Sequence, residues 1–214
     1  AAVLMDDLGY YALWMAEHHF QREGYECIPN VIMLSTHLAA KTKHLKFGCG
    51  FNIVPMWHPL RLAEDYAMAD ILTGGRMIFG VGRGYHSREV ETFGAPVIDN
   101  DANRELFEEQ IEIILKAFNS DSFSHHGKNY TIPAQVPYRG YDLENITLVP
   151  RPITLPVETW QPVVSGGSID FTVKNGFNGV VALTGEQLVD QAFHRFRDAC
   201  SENGRGDLLG SNLA

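Results

Sequence analysis

Short apolar runs alternate along the chain with longer stretches in which apolar residues recur every three or four positions, a rhythm that predicts βαβ units around a mostly parallel sheet. Five runs read as strands: Ala12–Ala16, Leu45–Val54, Met77–Val81, Pro162–Ser165 and Gly179–Leu183. Met77-Ile78-Phe79-Gly80-Val81 and Val180-Val181-Ala182-Leu183 are apolar throughout, as strands covered on both faces should be. Val3, Leu4 and Leu8 place the start of the chain inside a helix. Pro59–Thr73 has Pro at its first turn and Gly74-Gly75 beyond its end. Asn103–Phe118 sets Phe107, Ile111, Ile114, Leu115 and Phe118 on one stripe, with Asp99-Asn100-Asp101 offering capping oxygens in front. Ile169–Asn175 is a shorter helical pattern that Ser168 can cap. Thr184-Gly185-Glu186-Gln187 fits a capping box, followed by the stripe Leu188, Ala192, Phe193, Phe196 and Cys200 and a stop at Gly204.

Residues 119–156 break this rhythm with Pro133, Pro137, Pro150, Pro152 and Pro156 and with short β-like pieces at Tyr130–Ile132 and Ile146–Val149. The segment is too long for an idle connection, and it predicts an excursion over the carboxyl ends of the strands that shapes a pocket. Residues 1–214 otherwise read as a single domain that opens inside a helix and stops just after the turn Gly210-Ser211-Asn212, so pieces of the complete domain are expected to be missing.

Composition narrows the class. The 214 residues are 45% hydrophobic and 11% aromatic, enough for a sizeable core. Against 26 Asp and Glu stand 17 Lys and Arg, a net charge of −9 that argues against nucleic-acid and anionic-membrane partners. Cys27, Cys49 and Cys200 are odd in number and show no CxxC spacing, so neither a disulfide framework nor a zinc knuckle is expected and a reducing cytoplasm fits. With no signal peptide and no apolar run near the roughly 20 residues that span a bilayer, the expectation is a soluble cytoplasmic protein.

Four segments carry candidate chemistry. Glu17-His18-His19-Phe20 follows a predicted strand, where an imidazole can move a proton at neutral pH; adjacent residues diverge, so one His is expected to act. The plain alternative is a pair of satisfied polar groups at a strand end. A metal site is disfavoured, since the chain lacks HExxH and CxxC. Gly80-Val81-Gly82-Arg83-Gly84-Tyr85 sets one guanidinium among glycines, suited to a phosphate but equally to a structural turn. Ser165-Gly166-Gly167-Ser168, at a helix start, presents N–H groups and the positive dipole end to an anion. It matches neither GxxxxGK[ST] nor GxGxxG, which disfavours nucleoside triphosphates and NAD bound in the Rossmann manner. Gly48-Cys49-Gly50-Phe51-Asn52, running on to His58-Pro59, suggests a flat group lying against the backbone, although Met56 and Trp57 fit plain packing as well.

Together these segments resemble the bacterial luciferase-like flavin monooxygenase family. The matching pieces are Trp14–Phe20, Leu45–Arg61, Leu72–Arg76 running into Phe79–Tyr85, Glu91–Gly94, Phe123–Lys128, Val149–Pro152 and Ser165–Ser168. The resemblance implies a (β/α)8 TIM-type barrel, incomplete here because the family's first and last strands have no counterpart. It implies reduced FMN, supplied by a partner flavin reductase, bound at the carboxyl ends of the strands. Arg83, Arg104, Ser165 and Ser168 would hold the phosphate with the N–H groups of Gly166 and Gly167. A cis bond at Gly50–Phe51 would support the isoalloxazine, with Asn52 close to the ring, and His18 would be catalytic. The implied reaction is oxygenation of a small apolar organic substrate by O2 through a flavin hydroperoxide, in a homodimer. The reactive cysteine of the light-emitting members falls at Gly82, so light emission is not implied. Alternatives are an F420-dependent hydride-transfer enzyme of the same superfamily, a non-catalytic flavin-binding protein and an unrelated barrel lyase acting on a sugar phosphate.

Overall fold

The computed structural model describes residues 1–22, 28–163, 165–181, 185–206 and 212–214. Helix α1 (Ala2–Asp7) leads to β1 (Ala12–Met15), followed by α2 (Val31–Ala39), β2 (Lys46–Cys49), β3 (Asn52–Ile53), one 3-10 turn over Val54–Met56 and α3 (Pro59–Thr73). Strand β4 (Met77–Gly82) precedes α4 (Ser87–Val90) and the long α5 (Asn100–Asn119). Two hairpins follow, β5 (His125–His126) with β6 (Thr131–Ile132) and β7 (Pro137–Tyr138) with β8 (Tyr141–Asp142). Then come β9 (Thr159–Pro162), α6 (Gly166–Lys174), β10 (Asn178–Val180) and α7 (Glu186–Glu202).

The central sheet runs β1-β2-β4-β9-β10, every pairing parallel, with β3 beside the far end of β4. It curls into a half-barrel, the arrangement expected of an incomplete (β/α)8 barrel. Alternation divides its faces. Phe47, Met77, Phe79 and Val81 point outward into the main core, where Phe79 meets Tyr66 at 4.7 Å and Phe118 at 5.6 Å between ring centroids. Tyr66, Phe47, Phe79, Phe107 and Phe118 are fully buried, each contributing about 1.5–3 kcal/mol of transfer free energy. On the inner face the indole of Trp14 covers Gly48 and meets Trp160 at 5.7 Å. The flat group that the glycine at 48 accommodates is thus the protein's own indole.

Punctuation explains most element ends. Asp99 caps α5 by accepting from the N–H groups of Asp101 and Ala102, and Gly74 ends α3 at φ +67°. Several expectations need correction. The predicted strand Leu45–Val54 is broken into β2 and β3 at Gly50–Phe51, a cis peptide bond. The strand predicted at Pro162–Ser165 lies earlier, at Thr159–Pro162, because Ser165 is taken up as the N-cap of α6; one ladder bond persists beyond it, from Val163 N–H to the Val180 carbonyl at 2.9 Å. Helix α7 starts from Gly185 with no side-chain cap, while Thr184, like Ala182, Leu183 and Cys27, lies outside the described residues. Of the β-like piece Ile146–Val149 only Ile146 is paired, in a single bridge with Phe123.

Helix α2 was not signalled by the apolar pattern, which is nearly continuous there; its start is set by Asn30, whose side chain accepts from Met33 N–H at 2.7 Å. The excursion also runs elsewhere than expected. A connection from a helix back to the next parallel strand begins and ends at the amino ends of the strands, and the segment is tied there by Arg151 to the Phe118 carbonyl (3.0 Å) and by Asp70, which accepts from Thr154 N–H (2.8 Å). The β5–β6 hairpin then climbs the outer side of α5. Glu109 accepts there from the N–H groups of Asn129 (2.9 Å) and Tyr130 (3.0 Å) and from His125 Nε2 (3.0 Å). Among the described residues, no helix is long and apolar enough to cross a membrane.

Candidate active site

Parallel strands deliver their following loops to one end of the sheet, and four of the sequence-derived segments meet there. After β1, the chain places Glu17, His18 and His19 in buried positions. After β4, Gly84 turns at φ +79°, and a Cβ there would press on Ile53 and Val90 at 2.7 Å, so the loop comes close to β3 only as glycine. That turn sets up α4 and its buried Glu89.

His18 and Glu89, 71 residues apart, form the centre of the site. The Nδ1 of His18 lies 3.2 and 3.3 Å from the two carboxylate oxygens of Glu89, and because a carboxylate only accepts, Nδ1 carries the proton. The basic lone pair of the neutral ring therefore belongs to Nε2. Gln21 donates to the same carboxylate at 3.2 Å. Burial pushes the Glu89 carboxyl up, but the His19 N–H, the Gln21 amide and His18 outweigh it and hold Glu89 below the usual carboxylate range. The site thus keeps a fixed negative charge behind one imidazole.

His19 has a different partner. Its Nε2–H donates to Glu17 at 3.2 Å, so the two histidines do diverge as expected. Glu17 also accepts from Ile53 N–H (2.7 Å) and the Trp57 indole N–H (2.9 Å), which locks β3 and the following turn onto the end of β1. The Asn52 amide donates to the Gly80 carbonyl at 2.8 Å, and Phe51 lies over Gly80 and Gly82. A Cβ on Gly80 would run into the Cys49 carbonyl oxygen, so this close approach requires glycine. The Gly50–Asn52 segment is therefore a firmly fixed bed, with the Asn52 side chain holding it from below.

The groups expected from the sequence to bind an anion lie along the same rim. Arg83 leaves β4 and donates to the Asn100 side chain at 3.1 Å, while Asn103 grips the Arg83 carbonyl at 3.2 Å. Burial and the positive charge of Arg104 in the first turns of α5 depress the Arg83 guanidinium, against the opposing pull of Glu108, so the two cations feel each other. On the neighbouring strand, Ser165 caps α6 in a reciprocal box: its Oγ accepts from Ser168 N–H at 3.3 Å, and its N–H donates to Ser168 Oγ at 3.0 Å. Ser165, rather than Ser168, is the cap. Gly166 and Gly167, exposed with nothing near a Cβ position, are the helix's first N–H donors, which have no intrahelical acceptor. Phe107 of α5 meets Phe171 of α6 at 5.7 Å, and both helices run back from the strand ends. Arg104 and Ser168, each three residues before these rings, therefore sit at the same level.

Aromatic side chains rim the centre. Phe20, at φ +60°, stacks on Phe93 at 5.3 Å, and Tyr85 and His86 approach His18 at 6.3 and 5.2 Å. An open groove lies apart, between α5 and α6 on the outer surface, lined by Glu105, Glu108, Glu112, Lys116 and Lys174 among others; it does not coincide with the strand ends.

Sequence reasoning picked out His18, Arg83 and the Ser165–Ser168 turn but missed Glu89 and the clamping role of Glu17. Glu89 carries no local signal, being a lone acid in a four-residue helix.

Comparison with known proteins agrees with the geometry. The profile of the luciferase-like monooxygenase family matches residues 1–208. The oxygenase component of a flavin-dependent trigonelline monooxygenase of Acinetobacter baylyi is 30% identical over 202 residues, 93% of this chain and 52% of that protein. The chain thus spans about half the length of that curated relative. The oxygenating constituent of 3,6-diketocamphane monooxygenase from Pseudomonas putida, solved with FMN, shares the fold at a TM-score of 0.80 and 22% identity, covering 99% of this chain and 58% of that one. An F420-dependent secondary alcohol dehydrogenase has the same TM-score of 0.80 at 15% identity, with coverage of 99% and 61%.

Proposed function

The chain belongs to the luciferase-like monooxygenase family, and from that membership and its site we propose that it serves as an FMN-dependent, two-component monooxygenase that oxidises a small apolar organic substrate with O2. The observation that carries this reading is the meeting, at one end of the sheet, of a buried carboxylate-backed imidazole with two guanidiniums that feel each other's charge and an open helix start.

The donor set fits a flavin phosphate. A dianion beside Arg83 and Arg104 relieves the repulsion between them, and the N–H groups of Gly166 and Gly167 add neutral donors at the positive end of α6. The Gly50–Asn52 bed, fixed by Glu17 and by Asn52, offers a rigid seat for a flat ring system. Reduced flavin, when bound, supplies the electrons that activate O2. The chain's own residues supply position and proton control: His18 takes up or releases a proton at Nε2, and the Glu89 carboxylate offsets the charge of the imidazolium. Phe20 and Phe93 pack on His19 and Tyr85 on His18, giving the centre an aromatic rim. Supply of reduced flavin by a separate reductase is part of the reading, supported by the words "oxygenase component" in the relative's name.

A second reading, hydride transfer with F420, is favoured by the fold shared with the F420-dependent dehydrogenase. Anaerobic titration with reduced FMN and separately with reduced F420, followed by mixing with O2, separates the two. The expected result is tight binding of FMN and a slowly decaying absorbance distinct from free reduced and oxidised flavin. Tight binding of F420 with indifference to O2 would overturn the monooxygenase reading.

A further inference from the structure

We infer that His86 is the proton gateway to His18, a positioning residue that works through the buried imidazole by passing protons between it and solvent. The inference rests on the proton role given to His18 above.

The problem it answers is one of access. His18 is only 7% exposed, and its Nδ1 is committed to Glu89, yet a group that takes up and releases protons in turnover must exchange them with water. The described side chains whose contacts lie around it sort by chemistry. Glu89 is held ionised by its donors and remains the fixed counter-charge. Gln21 does not titrate. His19 is buried and turned away to Glu17. Tyr85 offers a phenol rather than an imidazole. His86 remains: an imidazole, half-buried, with its ring centroid 5.2 Å from that of His18 at an interplanar angle of 68°. Its other neighbour is Tyr85, at 4.0 Å, which is 71% exposed. His86 thus spans the distance from the wet rim to the buried ring, and one bridging water or a rotation of its ring joins the two imidazoles.

The proton balance is simple. Inward transfer protonates His86 from solvent; His86 then returns to neutral as His18 becomes imidazolium against Glu89. Outward transfer reverses both steps, and no bond between heavy atoms changes.

The test needs neither substrate nor flavin. In the whole protein labelled with 15N-histidine, the His18 Nε2 line is identified by its loss in His18→Asn, and the rate at which Nε2 exchanges between its bare and protonated forms is measured by relaxation dispersion. In His86→Gln the exchange is expected to slow about tenfold and to recover in proportion to added imidazole, while the unmodified protein responds little to the buffer. His86→Tyr, which keeps a ring between Tyr85 and His18 but no group titrating near neutrality, is expected to behave the same and stands in if the Gln variant does not fold. Exchange at the original rate in either folded variant, or a slowed rate that imidazole does not restore, overturns the inference. Because this readout is taken without flavin, it stands apart from the FMN titration: failure there removes the monooxygenase reading and leaves the exchange result untouched.

Discussion

The carboxylate of Glu17 accepts the backbone N–H of Ile53 at 2.7 Å, tying the end of the first strand to the segment that resumes after Gly50–Phe51. With the Trp57 indole and His19 on the same carboxylate, one buried acid organises both the bed and the histidine pair. Glu17→Ala leaves the Ile53 and Trp57 donors buried without their acceptor, a loss of about 1–3 kcal/mol for each. Urea unfolding should show that loss together with weakened reduced-flavin binding; unaltered stability would mean that the clamp is replaceable by water.

His18→Ala is expected to lower the oxygenation rate about 100-fold or more while leaving reduced-flavin affinity within a few-fold. Rapid mixing with O2 after an anaerobic binding titration measures both. Normal turnover with intact binding would remove His18 from the chemistry.

For the phosphate cradle, the comparison ligand is riboflavin, which lacks the phosphate. Arg83→Ala should weaken FMN binding roughly 10- to 100-fold, the worth of a charge-assisted hydrogen bond, and leave riboflavin binding as it was. Equal losses for both ligands would assign Arg83 to the architecture of the loop that Asn103 grips.

Acid sensitivity has identifiable sources. Burial raises the Glu109 carboxyl, but Asn129, His125 and the Tyr130 N–H more than offset it and hold it below its ordinary 4.5. Asp6 is held below 3.8 by the Lys43 N–H, with burial opposing and the N–H groups of His44 and Leu45 adding to the fall. Unfolding releases both groups to their ordinary values, so the unfolded chain binds more protons and stability rises with pH through this window. The stabilisation is fully present above about pH 4.5 and is lost as pH falls through the depressed values. Glu109→Gln should flatten the pH dependence of the urea midpoint below pH 4.5; an unchanged slope would contradict this assignment.

Gly80→Ala should destabilise by about 3 kcal/mol or more, since its methyl meets the Cys49 carbonyl oxygen, a backbone atom that has little room to retreat. Soluble yield and thermal midpoint report it directly.

How much of this was legible beforehand depended on whether the signal was local. Pro59 and Gly74 bracket α3 at the predicted bounds, and Asp99 caps α5, because punctuation acts on neighbours in the chain. The displaced strand at Thr159–Pro162 shows the reverse: apolarity favoured Pro162–Val164, but pairing with β4 at Phe79 and Gly80 drew the ladder earlier. In the site, Arg83 and Ser165 stood out because glycines surround them. Glu89 did not, since its role arises only when the loops after β1 and β4 meet, and no spacing within either loop encodes that meeting.

The route of residues 119–156 bears on how such a protein can be re-engineered. Chemistry-bearing groups gather on one side of the sheet, whereas this longest insertion starts and finishes on the opposite side, fastened to the scaffold by Asp70, Glu109 and Arg151. Selectivity libraries are therefore best aimed at positions 16–22, 54–58 and 83–99. The insertion itself is a graft point, where trimming or replacement has to respect those three anchors and Tyr130, whose hydroxyl accepts from the Gln110 amide and whose ring packs on His58 beside the strand ends.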